Sequence, residues 1–303
     1  MSSHDTTAPE TWVARDLPLL DAYSMGAHEA VGLAPGDGGR PLLIAGPCAI
    51  ESEEMLWRSA QLLSAQGVRL LRGGSYKLRT LPYSFAGPGD DGLAMHRRVA
   101  AEFGMLTVSE IADTAQAPLF ERHVDVVQVG ARNMRNTLLL RCVAGIGKPV
   151  ILKRDMSATL REWLSAAEHL LFHGAERLLL CERGVRWHDP TFRNVIDFGA
   201  VAWIKSYLGV PAIVDPSHGV GRADLVEKMS LCAVAAGADG LMVEVHPEPT
   251  RSRCDADQAL TPAQMERLAR RCEALRQLLD ENAWSLAGTA RPAGSPLQGA
   301  SAG

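Results

Sequence analysis

From Pro41 onward the chain alternates short apolar runs with stretches of helical periodicity, and this alternation restricts its fold more than any other feature. The apolar runs cover residues 42–45, 68–71, 105–108, 124–129, 149–152, 178–181, 210–214 and 240–243. Helical stretches stand between them. One runs from a Ser52 cap, with two glutamates in its first turn, to about residue 66. Others cover 93–103, a segment from about 113, 136–144, a patch near 194–208, and 223–236. The stretch 157–173 has Ser157 as N-cap and Leu160, Leu164, Ala167 and Leu171 at helical spacing. Thr261 and Pro262 open the last, 261–279. Strands alternating with helices predict a parallel sheet, and eight such units in roughly 240 residues match an α/β fold of the closed (β/α)8 TIM-barrel type. An open, doubly wound sheet is the structural alternative. The expected organisation is an N-terminal arm and linker (1–40), a single catalytic barrel domain (41–280) and a flexible, disordered C-terminal tail (281–303) rich in Ala, Gly, Ser and Pro. Within the arm, 11–28 has a weak helical pattern and 34–40 is rich in Gly, Pro and Asp.

Composition narrows the function classes. A formal charge of −4 offers no general footprint for nucleic acid. No run reaches the roughly 18 apolar residues of a membrane span, and the polar first ten residues lack an export core. The six cysteines are irregularly spaced, and several sit in apolar segments, which predicts reduced thiols in a cytoplasmic protein.

The unusual polar residues follow the apolar runs. Cys48, Arg72, Lys77, Arg79, Arg132, Lys153, Arg183, His218 and Glu244 all fall at or just past run ends, which converge on one mouth in a parallel barrel. Any single Arg or Lys there reads as solvated surface charge. Cations after several different strands describe a pocket for phosphates or carboxylates instead. Cys48, His218, Glu244 and a carboxylate from Asp255 or Asp257 make a plausible metal set. A thiolate, an imidazole and two carboxylates suit one divalent ion such as Mn, Fe, Co or Zn better than Mg or Ca. No two of them have the short spacing of a local metal motif, so this set rests on the shared mouth.

Ala45-Gly46-Pro47-Cys48, Arg72-Gly73-Gly74, Lys77-Leu78-Arg79-Thr80, Gly130-Ala131-Arg132-Asn133-Met134, Leu152-Lys153-Arg154, Glu182-Arg183-Gly184, Asp215-Pro216-Ser217-His218 and Glu244-Val245-His246-Pro247 occur in that order. From residue 41 to about 279 the chain resembles the type I DAHP (3-deoxy-arabino-heptulosonate 7-phosphate) synthases, in particular their Iβ branch. The resemblance implies a metal-dependent transferase that condenses phosphoenolpyruvate with erythrose 4-phosphate and releases phosphate. That step belongs to the shikimate pathway or to a shikimate-type secondary pathway. It further implies Cys48, His218, Glu244 and Asp255 as metal ligands, Asp255 being preferred because Cys254-Asp255 stands at the family's Ser-Asp position. Arg72, Lys77, Ala131, Arg132, Lys153 and Arg183 would hold phosphoenolpyruvate, and Arg79 and Thr80 the aldose phosphate. Lys77 would also be the proton donor, beside Cys48 and His218 as catalytic residues. A homo-oligomer, dimer or tetramer, is expected, with no nucleic-acid or membrane partner.

The departures from the family pattern collect on the aldose side. Leu78 stands in place of a proline, Leu81 in place of a serine, Asp155 in place of a glycine, and Phe192-Arg193-Asn194-Val195-Ile196-Asp197 in place of Thr-Arg-Asn-Thr-Leu-Asp. They are compatible with neutral drift or with a different aldose phosphate, such as a pentose 5-phosphate used by a related 3-deoxy-ulosonate phosphate synthase. A catalytically inactive barrel kept as a binding partner is the reading from another class, and the intact metal set argues against it. An arm of about 40 residues is too short for the regulatory or chorismate mutase domain often fused in this branch, so no built-in aromatic amino acid feedback is expected.

Overall fold

A computed structural model describes residues 9–25, 40–77, 83–208 and 210–281. Eight parallel strands close on themselves in sequence order, which excludes the open sheet. They are β1 Leu42–Gly46, β2 Leu70–Arg72, β3 Leu106–Ile111, β4 Val126–Val129, β5 Val150–Lys153, β6 Leu178–Glu182, β7 Ala212–Val214 and β8 Gly240–Glu244. β1 and β8 pair from Leu42↔Gly240 to Gly46↔Glu244 and complete the ring.

Strand side chains alternate between two faces. One face, with Leu42, Ile44, Leu70, Val108, Val126, Ile151, Leu179, Cys181, Ile213 and Met242, fills the barrel interior. The other face packs under the helices, as Leu71, Val214, Leu241 and Val243 do on one side and Val127, Val129, Leu152 and Leu180 on the other.

The helix ends follow local chemistry. Ser52 caps the helix Glu53–Ser64 by accepting from Met55 N at 3.1 Å. The helix expected to start at Ser157 is Leu160–Phe172, capped by Thr159 in a reciprocal box with Glu162. Only Thr159 has the acidic partner three residues on; Ser157 bonds back to Asp155 instead. β3 runs three residues beyond the expected end, so Ser109 and Glu110 lie inside a strand. Before the barrel stand two short helices, Pro9–Asp16 and Pro18–Met25. Glu168 accepts from the free amides of Leu19 and Leu20 at 2.9 and 2.7 Å, and the Tyr23 hydroxyl bonds both N and O of Leu178. The expected C-terminal tail lies outside the described residues beyond 281.

His96, on the helix Asp90–Glu102, is fully buried and donates through Nε2 to Leu71 O at 3.0 Å. Burial pushes its pKa down from 6.5 to about 4. The folded value lies below the unfolded one, so the unfolded chain takes up the extra proton between them. The contribution is complete above pH 6.5 and is lost as the pH falls toward 4. Denaturant unfolding should therefore show about 2 kcal/mol less stability at about pH 5 than at about pH 7.5 from this group. A His96→Gln variant should lack that part of the slope.

Candidate active site

Strand parity selects the side chains at the mouth. Leu70, Val108, Ile151, Cys181, Ile213 and Met242 point inward, so Arg72, Glu110, Lys153, Arg183, Asp215 and Glu244, each two residues later, share that face at the carboxyl ends. Cys48 arrives differently. Gly46 has φ 149, and a Cβ there would fall on the Arg72 carbonyl, so only glycine lets β1 pass this close to β2. Past that point Gly74 N donates to Cys48 O at 3.2 Å and Lys77 Nζ donates to the same oxygen at 3.0 Å.

One ligand atom from each of Cys48, His218, Glu244 and Asp255 lies within 4.8 Å of the others. Cys48 Sγ is 3.0 Å from Asp255 Oδ2 and 3.9 Å from His218 Nε2, which is 3.7 Å from Glu244 Oε2. Asp257, the other sequence candidate, is exposed and outside this group. His218 sits on the short helix Pro216–Val220, whose N-cap Asp215 accepts its backbone N–H at 2.9 Å. The other Asp215 oxygen faces Nδ1 at 2.8 Å, which turns Nε2 toward the other three donors. Glu244 takes a bond from Gln258 Nε2 on Oε2 at 2.8 Å, while Oε1 is buried with no hydrogen-bond partner.

The electrostatics suit a cation. The hydrogen bond with Cys254 and then burial push the Cys48 thiol up to about 11. Burial above all raises the Glu244 carboxyl well above its usual range. Burial opposes ionisation of Asp255 too, yet bonding from Cys48 and the nearby His218 and Arg193 hold its pKa down. An orphaned buried carboxylate oxygen beside a thiol and an oriented imidazole fits a borderline divalent ion.

Arg72, Lys153 and Arg183 are buried beside this group, with Lys77 half-buried next to them. Lys153 Nζ pairs with Asp215 Oδ2 at 2.5 Å, and Arg183 Nη2 donates to His218 O at 3.1 Å. Nη1 of Arg72 and Nη1 of Arg183 are buried donors with no partner. Burial works against the Lys77 charge, but Cys48 and Glu110 outweigh it and raise its pKa. Ala131 and Arg132 form the turn Ala131–Asn133 after β4, where Arg132 is exposed on the rim. Arg79 and Thr80, with Leu78 and Leu81, lie outside the described residues.

Several participants carried no signal at a strand end. Arg193 Nη1 donates to Gln258 Oε1 at 2.8 Å and stands 3.7 Å from Asp255, forming a chain that ends on Glu244. Asn194 Nδ2 donates to His218 O at 3.2 Å. Both come from the altered segment 192–197, so its retained Arg-Asn pair was the available clue. Arg154 turns behind the mouth to Glu182 and Asp197. Asp155 pairs with Arg135 at 2.5 Å, so the acid at this departure already has a cationic partner.

Comparison with known proteins gives a consistent picture. Residues 22–281 match the DAHP synthetase I family. A phospho-2-dehydro-3-deoxyheptonate aldolase of Thermotoga maritima is 44% identical over 218 residues, 72% of this chain and 64% of that protein. The chain thus spans just under two thirds of that relative's length. A 2-dehydro-3-deoxyphosphooctonate aldolase of Trichlorobacter lovleyi is 32% identical over 265 residues, 81% of this chain and 96% of that protein. The crystal structure of the Thermotoga maritima phospho-2-dehydro-3-deoxyheptonate aldolase (DAHP synthase) superposes with a TM-score of 0.76 at 41% identity, covering 82% of this chain and 73% of that one. A truncated form of 3-deoxy-D-arabino-heptulosonate 7-phosphate synthase from the same organism gives 0.73 at 39% identity, covering 82% and 91%. Among the described residues, no helix is long and apolar enough to cross a membrane.

Proposed function

Since the chain belongs to the DAHP synthetase I family, we propose that it condenses phosphoenolpyruvate with erythrose 4-phosphate to give DAHP and phosphate. The observation that carries this reading is the meeting, at one barrel mouth, of four metal donors with buried guanidinium groups whose outer nitrogens are open. Cys48, His218, Glu244 and Asp255 would hold one divalent ion, of Mn, Fe, Co or Zn. When bound, such an ion supplies Lewis-acid polarisation of an aldehyde oxygen or activates water.

The residues of the chain supply the rest. Two polyanions must meet before C3 of the enol ether can reach the aldehyde carbon, and Arg72, Lys153 and Arg183 offset their repulsion. Open guanidinium donors suit bidentate contact with a carboxylate or phosphate, and Arg132 on the rim extends the same field. Lys77 binds as a point charge and donates a proton to the alkoxide formed from the aldehyde. Cys48 and Glu110 outweigh burial and hold its pKa up, so Lys77 enters the reaction carrying the proton it gives. Water captures C2, and the phosphohemiketal loses phosphate by C–O cleavage.

A 3-deoxy-ulosonate phosphate synthase with another aldose is the second reading. The 2-dehydro-3-deoxyphosphooctonate aldolases among the relatives favour it, as do Leu78 and Leu81 in the expected aldose loop. Phosphate release from phosphoenolpyruvate, measured with erythrose 4-phosphate, ribose 5-phosphate and arabinose 5-phosphate in turn, decides between them. We expect kcat/KM at least about tenfold higher with erythrose 4-phosphate. Highest efficiency with a pentose phosphate would overturn the first reading.

A further inference from the structure

We propose that Glu51 is a positioning residue for the metal centre: its carboxylate clasps the loop after β8 to the loop after β1 and so sets where Asp255 stands relative to Cys48. This rests on the metal reading of the four-donor group.

Asp255 lies on an excursion closed at its base by Val245 and Leu260. There His246 N donates to Leu260 O, and Leu260 N donates to Glu244 O. Inside the excursion stand only two single turns, Pro249–Arg251 and Ala256–Gln258, so no long element fixes the carboxylate. The Asp255 backbone is left-handed, with φ 54, the only non-glycine residue with positive φ among the described residues. An L side chain there carries a steric cost, and the surroundings must hold it in place.

Glu51 supplies that hold from across the mouth. Its Oε1 accepts the backbone N–H of Arg253 at 2.8 Å and lies 3.1 Å from the Ser252 hydroxyl. That hydroxyl also stands 2.8 Å from Cys254 O, its one proton serving either oxygen, and accepts from Cys254 N at 3.3 Å. The clasp therefore ends on the residues directly before Asp255. His246 backs it: Nδ1 accepts Glu248 N at 3.0 Å, which leaves the proton on Nε2. This Nε2 is buried without a hydrogen-bond partner, 3.8 Å from Glu51 Oε1. The Glu51 side chain is only 11% exposed, so its charge-assisted bonds are shielded from competing water. Since Glu51 stands three residues after Cys48, the clasp ties one soft donor and one carboxylate donor to a common frame.

The test is a titration of metal-free protein with Mn2+, in the absence of substrate, alongside amide exchange over 249–255. Glu51→Ala should raise the Mn2+ dissociation constant at least about tenfold, the usual scale for losing a group that orients ligands. It should also speed exchange at Arg253. Glu51→Gln keeps an acceptor oxygen and should stay within about threefold of wild type. If Glu51→Ala does not fold, Ser252→Ala removes one arm of the clasp and should weaken Mn2+ binding by about threefold. Wild-type affinity in Glu51→Ala, or equal losses in Glu51→Ala and Glu51→Gln, would overturn the clasp. Failure of Mn2+ to bind the wild-type protein would overturn the metal reading beneath it, while the aldose comparison leaves this titration untouched.

Discussion

Replacing Cys48 by alanine is expected to lower turnover by at least about 1,000-fold, because a bound ion contributes several kcal/mol of charge stabilisation and each 1.4 kcal/mol is about tenfold in rate. EDTA should do the same to the wild-type protein, and added Mn2+ should restore the wild type but not the variant. The physical reason lies in the charge balance of the cluster. Without an ion, the hydrogen bond with Cys254 and burial keep the Cys48 thiol protonated, at about 11. Burial above all raises the Glu244 carboxyl well above its usual range as well. A divalent ion would displace the thiol proton, so its uptake should release acid and tighten as the pH rises. Activity unchanged by both EDTA and Cys48→Ala would show that the reaction uses no metal at this position.

Asp215→Asn is expected to have the next largest effect. Asp215 is fully buried, and one of its oxygens serves both Lys153 Nζ at 2.5 Å and His218 Nδ1 at 2.8 Å. Burial opposes its charge, yet His218 and Lys153 hold its pKa well below the usual range. The amide would leave the Lys153 ammonium buried without a counter-ion. Breaking such a pair costs about 3–5 kcal/mol, read as a lower melting temperature. Losing the group that orients His218 should weaken metal binding by about 10–100-fold. A parallel Lys153→Met variant separates the two roles. It removes the cation together with its demand for a partner, so it should impair phosphoenolpyruvate binding more than metal binding.

The barrel was legible because its strands are short, apolar and ended by charge, while its helices announce themselves by caps and spacing. Arg72, Lys153 and Glu244 were visible for the same reason: each interrupts an apolar run at its carboxyl end, and Arg183 stands one residue past such an end. The partners of these residues were not visible. Asp215 opens a motif beside His218, but its bond to Lys153 spans 62 residues of sequence. Arg193 and Gln258 meet from two loops 65 residues apart, and neither stands near an apolar run that would single it out. Strand ends are written locally in hydrophobicity. Hydrogen bonds between loops depend on where a closed sheet brings them, and local composition holds no record of that.

The two short helices at 9–25 have a consequence for the order of assembly. Leu19, Leu20 and Tyr23 bond to Glu168 and Leu178, which follow them by 149, 148 and 155 residues. During synthesis this segment therefore waits, its apolar Val13, Leu17 and Leu20 without their final cover, until β6 has been made. Contacts of such separation close slowly and reward the chain only after much loop entropy has been given up. Seating of the N-terminal helices therefore requires residues 168–178 to have been made, and their bonds tie the start of the chain to the middle of the barrel.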